Sequence, residues 1–234
     1  FITATASKTT VHEQEAILLT YKVYTVVNLR QLYGKMPDLK GFHTQEVELP
    51  QQKTFTLEHY KGRNYNTTVW SQYVLFPQQT GKLEIPSITF DGVVAQQTVS
   101  DDPFDAFFNG GGYVEVKKKI TTPKVVINVQ PLPAKPAGFS GAVGEFKLAS
   151  SINATDVKTN DAVTIKLTLS GTGNMKLIGT PEVKFPQDFE IYDPKVTDDY
   201  KLTNSGLTGT KTFEYLAIPR HAGNFTIPAV EFTY

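Results

Sequence analysis

The chain has 234 residues, of which 40% are hydrophobic and 20% are charged, as is ordinary for a folded, soluble protein. Its 23 basic and 23 acidic residues cancel, so the net charge gives no support for binding to nucleic acid or to an anionic membrane surface. Cysteine is absent, which excludes disulfides, thiolate nucleophiles and cysteine-ligated metals. No stretch approaches 18 apolar residues, so no part of the sequence is predicted to span a bilayer.

Alternation of apolar and polar residues is the dominant pattern along the chain. In chain order, the predicted strands are EAILLTYKVYTVV (15–27), QKTFTLEHY (52–60), TTVWSQYVLF (67–76), DGVVAQQTV (91–99), PKVVINVQ (123–130), AVTIKLTLS (162–170) and KTFEYLAI (211–218). They are rich in the threonine, valine and aromatic residues that pleated sheets favour, and no helical periodicity exceeds about two turns. Short strands separated by Gly, Pro, Asn and Asp clusters predict an all-β fold built from β-sandwiches.

One phrase occurs twice with a constant offset of 142 residues and no gaps. YVLFPQQTGKLEIPSITF (73–90) and YLAIPRHAGNFTIPAVEF (215–232) share their tyrosine, proline and glycine positions. Since proline and glycine restrict or permit backbone shape, the two copies are predicted to follow the same path: a strand, a tight turn, and a second strand interrupted at its Ile-Pro. The next strand is predicted to start at Leu83 in the first copy and at Phe225 in the second. Two tandem domains of one immunoglobulin-like sandwich fold explain this spacing.

The domain boundaries are predicted from the repeat and from a linker. QPLPAKPAGFSGAVG (130–144) contains three prolines and three glycines, so residues 131–144 are expected to be extended and exposed. The first domain is then 1–130 and the second 145–234. Because the first domain continues well past the repeated phrase, the second is expected to lack its last strand or hairpin. The opening FITATASKTT, strand-like and without a starting Met, leads us to expect a trimmed or mature fragment whose parent continues after Tyr234.

The segment SDDPFDAFFNGGG (100–112) is the most unusual part of the sequence, and it interrupts two predicted strands. It joins carboxylates to aromatic rings and ends in glycines, which suits an exposed docking segment. The candidate protein-binding residues are Asp101, Asp102, Phe104, Asp105, Phe107 and Phe108. The alternative is a hairpin tip whose rings pack against its own domain.

Other groupings of chemically active residues give weaker signals. SGTGNMK (170–176) lacks the spacing of a phosphate-binding loop and is interpreted as a turn, and no serine lies in a nucleophile elbow. The four histidines have no metal-ligand spacing, and neighbouring aspartates on one loop are usually solvated. We therefore predict a protein that is not an enzyme, with no cofactor, catalytic residue or metal ligand. Two possibilities stay open: calcium at DPFD (102–105) or VTDD (196–199), and a sugar-stacking surface of Trp70, Tyr73 and other tyrosines.

Several longer stretches resemble the BatD family of aerotolerance-operon, or oxygen-tolerance, proteins. The resemblance rests on PLPAKPAGFSGAVGEFKL, SGTGNMKLIGTPEVKFPQDFEIYDPK and YLAIPRHAGNFTIPAVEF, and on the DPFDAFFNGGG insert before a basic strand. It implies a cell-envelope protein with tandem immunoglobulin-like domains on the periplasmic face of the inner membrane, attached by an anchor outside these residues. It also implies neighbours of the von Willebrand factor A and tetratricopeptide types, and it transfers no catalytic residue.

The resulting prediction is a non-enzymatic envelope protein that binds other proteins within an aerotolerance (Bat) complex. Factor A-type domains often bind partners by completing a divalent-metal shell with the partner's carboxylate, and Asp102 or Asp105 is the candidate donor. The alternatives are a carbohydrate-binding or adhesin module and an enzyme fragment whose catalytic domain lies elsewhere.

Overall fold

The computed structural model describes residues 1–97 and 113–234. They group into two compact units, one of Phe1–Val11 with Leu18–Gln130 and one of His12–Ile17 with Pro131–Tyr234. Within these ranges the secondary structure is β-strand apart from one turn of 3-10 helix at Met175–Leu177. The predicted all-β class is confirmed for the described residues, which form two units.

The first unit contains eleven of the strands in the described ranges. They are β1 (Ile2–Ala6), β2 (Thr10–His12), β3 (Ile17–Thr25), β4 (Asn28–Tyr33), β5 (Phe42–Glu46), β6 (Thr56–Tyr60), β7 (Arg63–Pro77), β8 (Gly81–Ile85), β9 (Thr89–Gln97), β10 (Tyr113–Thr121) and β11 (Val125–Gln130). One sheet has the order β1-β3-β7-β5, with β6 also paired to β7. Two three-stranded sheets have the orders β10-β9-β4 and β2-β11-β8.

The second unit has one five-stranded sheet among the described residues. Its strands are β12 (Gly144–Ile152), β13 (Val163–Gly173), β14 (Phe189–Ile191), β15 (Lys195–Thr203) and β16 (Gly206–Pro219). The order is β12-β13-β16-β14, and β15 also pairs with β16. Partly buried side chains from segments outside the sheet pack on its core: Val183, Phe185, Ile227 and Val230.

Strand β13 has the two faces that its alternation predicts. Val163, Ile165, Leu167 and Leu169 are all buried, while Lys166 between them is exposed. Each buried side chain of this size stabilises the fold by about 1.5–3 kcal/mol relative to an exposed one. The period-2 pattern therefore fixes which face of the strand lies on the core.

The first copy of the repeated phrase contains the predicted break in its second strand. Ile85 and Ile88 have opposite parity, yet both are buried, because β8 ends at Ile85 and β9 begins only at Thr89. Buried Thr122 holds this corner: the Ile88 N–H donates to Thr122 Oγ1 at 3.0 Å, and the Thr122 N–H donates to the Ile88 carbonyl at 2.9 Å. The N–H and the carbonyl of Ile88 are therefore both hydrogen-bonded at the bend.

The second copy follows the prediction only up to its turn. Tyr215 and Pro219 lie in β16 as expected, but the strand predicted to start at Phe225 is not formed. Residues 220–234 contain no strand ladder with other described residues, apart from an isolated parallel bridge between Phe139 and Thr233. The prediction was wrong here because a strand needs a hydrogen-bonded neighbour, which sequence alternation cannot supply.

The glycine-rich stretch 170–176 is also not the turn that the sequence suggested. Ser170 to Gly173 continue β13, and the 3-10 turn begins only at Met175. At Gly171, φ is +154°, and a Cβ would lie 2.1 Å from the Glu145 carbonyl oxygen of β12. Glycine is required here because the neighbouring backbone approaches too closely for a side chain.

The predicted linker, residues 131–144, has two parts that differ in how exposed they are. Residues 133–138 are exposed, whereas Ala142 is 1% exposed and belongs to a core cluster of the second unit with Phe146 and Leu169. The Asn174 side chain, itself buried, accepts a hydrogen bond from the Val143 N–H at 2.8 Å. The later part of the Pro/Gly segment therefore packs as part of the second unit.

Candidate functional site: protein-interaction surfaces

The six candidate binding residues lie outside the residues that the structure describes. Asp101, Asp102, Phe104, Asp105, Phe107 and Phe108 fall within 98–112. That segment connects β9 to β10 in sequence, and these two strands pair in antiparallel register from Thr89 opposite Thr121 to Gln97 opposite Tyr113. The surfaces next to it are therefore those of the β10-β9-β4 sheet.

One face of the β10-β9-β4 sheet changes from buried to exposed along its length. At the inner end, Phe90 and Leu32 are buried, 3% and 8% exposed. Register places Val94 between Leu29 of β4 and Val116 of β10, and these three side chains are only half-buried. The sheet's apolar side thus continues beyond the part that the core covers.

The exposure is greatest beside the connecting segment. Val114 lies on the same face as Val116, two residues closer to 98–112, and is 49% exposed. We call Leu29, Val94, Val114 and Val116 the distal face. A row of partly exposed aliphatic side chains is the kind of surface through which proteins make contact.

The outer edge of the same sheet is protected against strand pairing. Strand β10 is an edge strand, and Lys117, Lys118 and Lys119 on it are all exposed. Charged lysines on an edge strand disfavour edge-to-edge association with other sheets. The distal face, rather than the β10 edge, is therefore the surface of this sheet that is open to apolar contact.

Several carboxylates and histidines of the described residues form hydrogen bonds or ion pairs. Asp198 Oδ2 accepts a hydrogen bond from the Tyr200 hydroxyl at 3.0 Å, and Asp198 Oδ1 lies 3.8 Å from Lys211 Nζ. His221 Nδ1 lies 3.7 Å from Asp188 Oδ1. Within 1–97 and 113–234, no group of three or more His, Asp or Glu side chains is arranged to hold a metal ion.

An aromatic cluster lies beside the β6–β7 hairpin, and sequence reasoning did not identify it. The rings of Phe1 and Tyr24 stack with centroids 4.7 Å apart, whereas Tyr65 meets Phe1 edge-on at 83°. Tyr60 is tilted by 43° to Tyr24, which is 7% exposed. A sugar-stacking platform needs exposed rings that lie flat in a row, so this cluster is better suited to packing.

The second unit contains a groove that the sequence did not reveal. It has a volume of about 910 Å³, and residues 152, 154–159 and 221–227 are among those that line it. Phe189 and Val163 also line it, and Ile152 at its rim is 42% exposed. We call it the second-unit groove.

The comparisons with known proteins give one clear result. The sequence matches the family described as BatD DUF11 like domain over residues 4–129 and 150–234. No match was found among curated proteins. A solved structure, the type II cohesin dyad from the adaptor ScaA scaffoldin of Acetivibrio cellulolyticus, aligns with 98% of this chain and 83% of its own at 10% identity. Its TM-score of 0.25 is too low to support any conclusion about this chain.

The described residues contain no helix that is long and apolar enough to cross a membrane.

The family match covers both units, including the repeated phrase and the strands β9 and β10 on either side of 98–112. It therefore agrees with the tandem architecture. The chain belongs to the BatD family.

Proposed function

We propose that this chain is a non-enzymatic part of a cell-envelope protein whose tandem sandwich units bind other envelope proteins. The contact surface in this proposal combines the distal face with the acidic-aromatic segment 100–112. The family is envelope-associated and in general not catalytic, which supports the class of function. The partner and the contact residues are the proposed parts.

The observation that carries the proposal is the exposure of the distal face beside the predicted docking segment. Val114 is 49% exposed on a face whose inner end is a well-packed core. Burying one valine or leucine side chain at a contact contributes about 1.5–3 kcal/mol, so a few such residues give a useful apolar centre. The carboxylates of 100–112 would supply charged contacts of the kind found in the polar rim of many interfaces.

The proposed partners are von Willebrand factor A-type and tetratricopeptide proteins encoded beside this family. A factor A-type domain holds a divalent cation with an incomplete set of oxygen ligands. A carboxylate from Asp102 or Asp105 would complete that set, since hard cations prefer oxygen ligands. Such a contact would depend on Mg²⁺ and on the carboxylates, and the distal face would add apolar contact.

A co-purification experiment from envelope extracts tests the proposal. The chain with residues 100–112 replaced by a short glycine-serine linker should recover markedly less partner than the unchanged chain. Val114→Asp should have the same effect, because it places a charge in the apolar contact. Leu57→Asp is the matched control, since Leu57 is 72% exposed but lies on β6, in a different sheet. Equal recovery with all variants would contradict the proposal.

A second experiment tests the metal-dependent part of the proposed contact by measuring partner recovery. Recovery of a factor A-type partner should fall when Mg²⁺ is removed by a chelator and when Asp102→Ala is combined with Asp105→Ala. Asp102→Glu with Asp105→Glu should retain binding, because the carboxylate is kept. Mg²⁺-dependent recovery that survives the double alanine change would reject these two residues as metal ligands.

A further inference from the structure

The only tryptophan of the sequence, Trp70, lines a cavity of the first unit that is separate from the distal face. The cavity has a volume of about 570 Å³ and is lined by residues 46–51, 53, 70 and 71. We call it the Trp70 pocket. Its size is within the range of roughly 300–1,000 Å³ that is usual for binding sites.

The Trp70 pocket forms where the chain between β5 and β6 leaves the neighbouring strand β7. Strand β5 pairs with β7 as far as Glu46 opposite Tyr73, and β6 pairs with it from Thr56 opposite Thr67 onwards. The intervening segment 47–55 is longer than the part of β7 that it faces. The excess chain therefore curves away from the strand and leaves a cavity beside it.

The structure separates two rings that the sequence placed together in a possible sugar-stacking surface. Tyr73 meets the buried Tyr21 edge-on, with ring centroids 6.4 Å apart, and it does not line the Trp70 pocket. Trp70 is the only ring among the described residues that line the pocket. The pocket is therefore not a row of several rings, which would suit a sugar chain.

A cation of the chain itself lies over the Trp70 ring. Lys53 Nζ is 5.8 Å from the ring centroid. A cation within about 6 Å of the centroid is attracted by the negative face of the ring, and tryptophan attracts cations more strongly than the other aromatic side chains do. The position over the ring thus already favours positive charge.

Two carboxylates of the pocket have no ion-pair partner among the described residues. Glu46 and Glu48 are both exposed. Burial, followed by the charge of Glu46, raises the pKa of the neighbouring Tyr73. Lys53 is the only basic side chain among the described residues of the lining, so the pocket carries two negative charges against one positive charge.

The ring and the carboxylates together favour one kind of side chain as an occupant. An arginine guanidinium is planar, so it can stack on an aromatic face and pair with a carboxylate at the same time. A lysine ammonium is more strongly hydrated and therefore loses more when it leaves water. An anionic group would be repelled by Glu46 and Glu48.

We propose that the Trp70 pocket binds an arginine side chain from an exposed basic segment of a partner protein. The guanidinium stacks on Trp70 and pairs with Glu46 or Glu48, and it displaces Lys53 from the ring. This contact belongs to the β1-β3-β7-β5 sheet, whereas the distal face belongs to the β10-β9-β4 sheet.

Lys53 can move away from the ring when an arginine enters. It also lines a neighbouring cavity of about 340 Å³, together with Gln52 and Thr54. Lys22 lines that cavity too, but its charge is paired with Glu58. The flexible stem of lysine and the oxygen acceptors of this cavity allow the ammonium to be rehoused. Lys53 is thus an internal competitor for the position over Trp70.

Fluorescence titration of the 234-residue chain with short peptides tests the proposal. Because Trp70 is the only tryptophan, a change in tryptophan emission reports directly on the pocket. The peptide GRRG, acetylated and amidated at its ends, should give a saturable change. GKKG should bind about two- to fivefold more weakly, and the neutral GQQG about tenfold or more weakly. Added salt should weaken the binding of GRRG.

Removal of the two carboxylates gives a second measurement. Glu46→Gln combined with Glu48→Gln should weaken GRRG binding by about threefold or more, because the charge is lost while the shape is kept. Glu145→Gln combined with Glu182→Gln is the matched control. It makes the same change in net charge at two exposed residues of the second unit, and it should leave binding unchanged.

Removal of Lys53 should have the opposite effect. Lys53→Met frees the ring and leaves the two carboxylates unbalanced, so GRRG should bind about threefold or more tightly. Lys82→Met, at an exposed lysine of β8, should leave binding unchanged. Trp70→Leu, followed by calorimetry, should weaken binding by about tenfold. The peptide comparisons use the unaltered chain, so they do not depend on whether Trp70→Leu folds.

Several results would overturn the proposal. These are no saturable binding of GRRG at millimolar concentration, equal binding of the three peptides, or weaker binding of GRRG to Lys53→Met. A saturable fluorescence response to the neutral sugar cellohexaose, without a response to GRRG, would show that the pocket binds sugars instead. None of these measurements involves the distal face or residues 100–112, so their failure is distinguishable from failure of the proposed function.

Discussion

At the scale of single residues, two buried tyrosines have different hydrogen bonding. Tyr21 of β3 is 0% exposed, and its hydroxyl has no hydrogen-bond partner among the described residues. Tyr215 of β16 is 5% exposed and donates to the Pro181 carbonyl. The alternation of apolar residues predicts that both rings are inside, but it carries no information about where a hydroxyl finds an acceptor, because that depends on non-local packing.

This difference gives a paired prediction. Tyr21→Phe should raise the free energy of unfolding by about 1 kcal/mol, because a buried hydroxyl without a partner is removed. Tyr215→Phe should lower it by about 1 kcal/mol, because a satisfied bond is lost and the Pro181 carbonyl loses its donor. Urea unfolding of the two variants and the unchanged chain measures both. A loss of stability with Tyr21→Phe as large as that with Tyr215→Phe would contradict the account.

The buried tyrosines also predict how stability depends on pH. Burial raises the pKa of Tyr21, Tyr200 and Tyr215 from 10.0 to about 12, with a contribution from Asp198 at Tyr200 and a smaller one from Tyr73 at Tyr21. Since the folded state favours the neutral hydroxyl, this contribution is complete below pH 10 and is lost as the pH rises from 10 towards 12.

The free energy of unfolding should accordingly fall between pH 10 and 12, with a smaller fall in Tyr21→Phe. Urea unfolding at a series of pH values measures this, and ultraviolet absorbance follows tyrosine ionisation directly. If all the tyrosines of the folded protein ionise together near their ordinary pKa, the assigned burial is wrong.

At the scale of elements, the corner between β8 and β9 shows what a short phrase can predict. The opposite parity of Ile85 and Ile88 around Pro86 requires a bend, and the structure has one. The sequence gives no indication that Thr122, more than thirty residues later, supplies the acceptor for the Ile88 N–H. Local pattern therefore predicts the bend, and tertiary contact stabilises it.

Thr122→Val should destabilise the fold by about 1–3 kcal/mol, because the shape is kept while the buried Ile88 N–H loses its acceptor. Thr121→Val is the matched control: its hydroxyl meets Thr89 Oγ1 at 3.1 Å in an exposed position, so little change is expected. Thermal unfolding of the two variants compares them. Equal midpoints would mean that the Thr122 hydroxyl does not hold the corner.

At the scale of the whole molecule, the repeat predicts two copies of one sandwich but not their difference. Phe225 and Ile227 carry the same alternation as Leu83 and Ile85, and their burial alternates accordingly. The alternation of apolar and polar residues determines which side chains face the core. Whether a backbone becomes a strand depends on a neighbour elsewhere in space, and a single sequence does not show whether that neighbour is available.

The contact surfaces also differ in how far the sequence predicts them. The chemistry of residues 100–112 is visible in the sequence, and their structure lies outside the described residues. The distal face and the second-unit groove were not predicted, because each depends on where the covering of an apolar face ends. Exposed Val114 and the groove-lining residues 156–158 and 223–227 are what the structure adds to the sequence.

The central claim is that the two units contain copies of one strand-turn-strand phrase, and that in this 234-residue chain only the first copy has its second strand paired. Amide hydrogen exchange of residues 81–85 and 223–227 in the same sample tests it most directly. The account predicts that 81–85, paired with β11, exchange more slowly by about a hundredfold or more, while 223–227 exchange almost as fast as an unfolded peptide. Equal protection of the two segments would contradict it.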